Sequence, residues 1–99
     1  MKLVDVTNSY GTLVAKQLAN TDSYLVRVYS LGKTMIVFSE APSHVEIVIV
    51  NKMRDIKRFE IEQVVEELLG TTMDNGRLKF IHTKGIVEIS APSDIKESI

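Results

Sequence analysis

The chain has 99 residues, of which 44% are apolar and 25% charged; it contains no cysteine, and its net charge is −1. A chain of this length and composition folds, but it can bury only one modest core, so 1–99 is read as a single domain with 91–99 as a tail. The missing cysteines exclude disulfides, thiolate metal sites and cysteine nucleophiles, and the near-neutral charge excludes the basic footprint of a nucleic-acid-binding chain.

Leu3 to Val6 is a short strand ended by the cap-forming Thr7-Asn8-Ser9. Tyr10, Leu13, Val14 and Leu18 then recur at steps of three and four, which predicts an amphipathic helix closing near Asn20. Tyr24–Tyr29, Thr34–Ser39 and Val45–Val50 are β-rich runs separated by Ser30-Leu31-Gly32-Lys33 and by Ala41-Pro42-Ser43. Such spacing predicts an antiparallel meander. Ile61, Val64, Val65, Leu68 and Leu69 trace a second helix that starts near Phe59 and stops at Gly70. A turn-rich stretch follows, and Arg77–His82 with Ile86–Ser90 forms a hairpin around Thr83-Lys84-Gly85. From Ala91 the tail either forms one helical turn or frays. The fold class is α+β: one mixed, largely antiparallel sheet with two helices on one face, in the order β-α-β-β-β-α-β-β.

Few residues carry chemistry. Gly32-Lys33-Thr34 copies the end of a phosphate-binding loop, but Arg27 stands where the leading glycine belongs and a strand follows, so it reads as a hairpin turn. His44 and Glu46 share one strand face, yet no third metal ligand stands at a recognised spacing. No nucleophile elbow or carboxylate pair is present, so no catalytic, cofactor-binding or metal-binding residue is assigned and an enzyme is disfavoured.

Two features suggest contact surfaces. The connector Asn51–Arg58 holds Lys52, Arg54, Lys57 and Arg58 against the single acid Asp55. The helix after it holds Glu60, Glu62, Glu66 and Glu67, read as a solvated acidic ridge. No aromatic residue is interleaved with the cations, so nucleic acid is an unlikely partner. On the Val45–Val50 strand, Val45, Ile47 and Ile49 suit a covered face, while Val48 and Val50 make the opposite face apolar too. That second face is expected to be covered either by the C-terminal hairpin and tail or by another chain, and one expectation is a homodimer made by the open sheet face or by an edge strand.

Met1–Tyr10, Val28-Tyr29-Ser30-Leu31-Gly32, Glu40-Ala41-Pro42 and Glu46–Lys52 resemble a family of short proteins from low-GC Gram-positive bacteria, catalogued as a domain of unknown function. The resemblance implies a stand-alone bacterial protein with an α+β fold and brings no activity, cofactor or site residue. No signal peptide opens the chain, and its longest apolar run, Ile47–Val50, is far too short to span a bilayer, so a cytoplasmic location is expected. The sequence thus points to a cytoplasmic, non-enzymatic interaction or regulatory module that binds a protein partner or itself. The alternative is a phosphate- or anion-binding module using the connector at 52–58.

Overall fold

The computed structural model describes residues 2–97. Its elements in chain order are β1 (Val4–Asp5), a 3-10 turn (Thr7–Tyr10), α1 (Gly11–Asn20), β2 (Leu25–Leu31), β3 (Thr34–Glu40), β4 (His44–Val50) and α2 (Arg58–Val64). α2 continues into a π-helical turn (Val65–Leu69), followed by β5 (Lys79–Thr83), β6 (Ile86–Pro92) and a 3-10 turn (Ile95–Glu97). The described strands form one sheet in the order β1-β2-β3-β4-β6-β5. Its five pairings are all antiparallel, so the α+β class and the element order agree with the sequence reading, and no parallel pair is mixed in.

Alternation along the strands sorts their side chains onto two faces. Ile36, Phe38, Ile47, Ile49, Val87 and Ile89 share one face, where the stripe Ile61, Val64, Val65 and Leu69 of α2 and its π turn buries them into the main core. Gly70 ends this helix in the left-handed region at φ 65°, as its position after the last apolar pair predicts. Val26 and Val28 lie on the opposite face and are both buried, Val28 in register with Val37 and Val48.

The sequence reading set both helices on one face, and here the structure differs. α1 packs against β2, and its C-terminal Gln17 borders the same hollow as Val26, Val37 and Val48, on the face opposite α2. The cause lies in chain path. α1 bridges β1 to its antiparallel neighbour β2 at the sheet's border, and the short link brings it over the two valines there. None of the ten residues of α1 is buried, so it covers only a border of that face.

The C-terminal hairpin does not fold over the sheet. It widens it in plane, with β6 beside β4 and β5 outermost. Ala91 and Pro92 belong to β6, Ile95 is fully buried in the main core, and Lys96 lies 5.4 Å from the centre of the Phe38 ring. The last two residues of the tail fall outside the described part.

Candidate functional site

The connector is built into the fold. Glu60, the third residue of α2, reaches back to accept the Lys57 N–H at 3.0 Å, which satisfies one of the free donors at the helix start. Its side chain is 2% exposed. It accepts bonds from the Thr34 hydroxyl at 2.5 Å and the Arg54 guanidinium at 2.7 Å. Asn51 donates to Thr34 at 3.0 Å and accepts the N–H groups of Met53 and Arg54, which bends the chain out of β4. Burial disfavours a charged Glu60, but the bonds from Arg54, Thr34 and Lys57 outweigh it and hold the carboxyl at about 2. Glu60 is therefore no part of a solvated ridge. Periodicity registers a helix position but not a buried partner 26 residues away.

The four connector cations are not gathered into one patch. Arg54 is committed to Glu60, and Arg58 pairs with Glu62 at 3.1 Å. Lys57 caps α2 through its backbone. Lys52 lies at the other end, bordering a hollow of about 570 Å³ that Lys84 of the hairpin turn also borders. Asp55 ties that hairpin down by accepting the Gly85 N–H at 3.0 Å and facing His82 Nε2 at 3.2 Å. The bond from Gly85, followed by the contact with His82, pulls its carboxyl below the usual range. Thr34 of the phosphate-loop look-alike is buried in this network, and Gly32 and Lys33 form the turn between β2 and β3.

The uncovered sheet face holds the other sequence-predicted residues. Val48 and Val50 are half-buried there beside Val37 and Met35. The strip runs on to Ile86, 39% exposed, and Ile81, 61% exposed. Glu46, Glu88 and Lys79 punctuate it, and a hollow of about 430 Å³ lies over Val48, Ile81 and Glu88. Ile81 and Ile86 escape sequence reasoning, because the pattern marks Arg77–His82 as a strand but does not reveal that it lies at the end of the sheet.

His44 and His82 do not meet, since they sit on opposite sheet faces. His44 Nε2 lies 3.3 Å from Glu46, and its Nδ1 lies 3.2 Å from the Ser43 hydroxyl. Among the described residues no three His, Asp or Glu side chains group to hold a metal ion, and no helix is long and apolar enough to cross a membrane.

No curated protein matches the chain. A solved structure, a conserved protein of unknown function from Streptococcus thermophilus LMG 18311, shares 41% identity over 94% of this chain and 97% of its own, with a TM-score of 0.86. The family model described as a domain of unknown function, DUF1827, matches residues 1–92. With that match and that structural likeness together, the chain belongs to the DUF1827 family.

Proposed function

We propose that this protein is a non-enzymatic interaction or regulatory module of the bacterial cytoplasm that acts through protein contacts on its open sheet face. The observation that supports this reading is the uncovered apolar strip from Val48 and Val50 to Ile86 and Ile81, in a chain of this size. Apolar area left in water is unfavourable by roughly 25 cal/mol per Å², and contiguous apolar patches mark contact surfaces. The test is affinity capture from the native host with the wild type and a Val48→Lys/Val50→Lys variant whose far-UV circular dichroism matches it. Loss of captured proteins is expected, and an unchanged set overturns the assignment of the face.

One observation favours a second reading. Lys52 and Lys84 border the same hollow, which could take a phosphate or another small anion. Its drawback is that Arg54 already serves Glu60. Salt separates the two readings: phosphate-directed binding weakens steeply as salt rises, whereas apolar sheet-face binding does not.

A further inference from the structure

We propose that a partner of this surface is a second copy of the chain, joined antiparallel along β5 about a twofold axis at Ile81. This rests on the interaction reading and deepens it. β5 ends the sheet, and all five of its residues, Lys79 to Thr83, are exposed. The opposite border is β1, only two residues long and followed at once by the turn into α1. Natural sheets blunt their edges with proline, bulges, charge or brevity. β5 has no proline, its register with β6 runs unbroken, and Phe80 and Ile81 sit at its centre.

The main chain of β5 sets the register. Thr83 pairs with Ile86 across a two-residue loop, and such hairpins close on a hydrogen-bonded pair. Bonded and non-bonded pairs alternate in an antiparallel ladder, so residues 83, 81 and 79 bond inward to β6. Phe80 and His82 then turn their N–H and C=O groups outward. These two residues flank Ile81 symmetrically, which makes the edge self-complementary. A twofold axis at Ile81 sets Phe80 opposite the partner's His82, and His82 opposite the partner's Phe80, so every outward group of the pair is used. Ile81 meets the partner's Ile81 on the open face, which continues the apolar strip into the second copy. Lys79 falls opposite the partner's Thr83, so no like charges directly face each other. A contact between two five-residue strands is smaller than a standard stable interface, so the dimer dissociates on dilution.

The chain has no cysteine, so single introduced thiols report the register. In a non-hydrogen-bonded pair the Cα atoms lie about 4.5 Å apart, within disulfide reach. Under mild oxidation at high micromolar concentration, Ile81→Cys is expected to give a covalent dimer. Thr83→Cys alone should not, although mixed with Lys79→Cys it should. In sedimentation velocity the wild type should move toward twice the chain mass as concentration rises. His82→Pro removes an N–H that the chain's own sheet does not use, and should stay at the single-chain mass. Should His82→Pro fail to fold, the cysteine variants still decide. The proposal is overturned if the wild type stays monomeric and Ile81→Cys does not crosslink, or if Thr83→Cys crosslinks to itself as readily. A dimer that survives His82→Pro also overturns strand pairing. Capture by the Val48/Val50 face is read separately, so loss of the dimer leaves the wider interaction reading to its own experiment.

Discussion

At the scale of single residues, the buried Glu60 carboxylate joins β3, the connector and the start of α2 through its ion pair with Arg54 and two further hydrogen bonds, from Thr34 and the Lys57 N–H. Its carboxyl is held at about 2 against an ordinary 4.5. A folded value below the unfolded one means that the stabilisation is complete above about pH 4.5 and is lost as pH falls toward 2. The difference corresponds to on the order of 3 kcal/mol. Glu60→Gln is expected to cost about 3 kcal/mol at neutral pH. The gap between wild type and variant should close by a similar amount toward about pH 2, as read by urea unfolding across that range. Gly85 is a second fixed point. Its φ is +76°, and a Cβ there would meet the Asn51 carbonyl at 2.9 Å, while Asn51 N–H donates to the Gly85 carbonyl at 3.0 Å. Gly85→Ala should therefore destabilise by about 1–3 kcal/mol in denaturant titrations.

At the scale of elements, the two helices share an amphipathic pattern but not a fate. The stripe of α2 and its π turn includes Val64, Val65 and Leu69, each fully buried, whereas Leu13 and Leu18 of α1 are 37% and 36% exposed. Leu69→Ala is expected to cost about 2–5 kcal/mol, and Leu18→Ala less than about 1 kcal/mol. Amide exchange should likewise be faster in α1 than in β3 and β4. The meander, the α2 stripe, its glycine stop and the C-terminal hairpin were all legible, because each is a local period or a local turn. The placement of α1 was not. Tyr10, Leu13, Val14 and Leu18 give a helix an apolar side, but only the chain path through β1 decides which sheet face it reaches. The charge pattern misled for a related reason. Arg54 and Glu60 cancel inside the fold, so the opposed patches at 51–58 and 60–67 are each one charge smaller on the surface than the sequence suggests. Of the candidate site, Val48 and Val50 were legible from alternation, whereas Ile81 and Ile86 gained their place from the strand order.

At the scale of the whole molecule, the protein is a slab of 34 × 33 × 23 Å, thin because only one face of the sheet carries a full helical layer. Shape therefore distinguishes ways of associating. Copies joined along β5 lengthen the slab, and small-angle scattering of the dimer should give a longest dimension roughly double that of the monomer. Copies stacked through Val48 and Val50 would thicken it instead, to about twice the 23 Å of one copy. A compact dimer is the outcome that counts against edge pairing.

The position of β4 in the sheet bears on how the chain is made. β4 pairs on one side with β3, a few residues upstream, and on the other with β6, which begins at Ile86, 36 positions beyond Val50. While a ribosome is still adding that intervening stretch, His44–Val50, the most apolar strand, has one flank of main-chain groups without its partner. Synthesis at ~5–20 residues per second leaves that flank bare for seconds. During that interval the nascent chain is most open to aggregation, and to any chaperone that binds extended apolar segments.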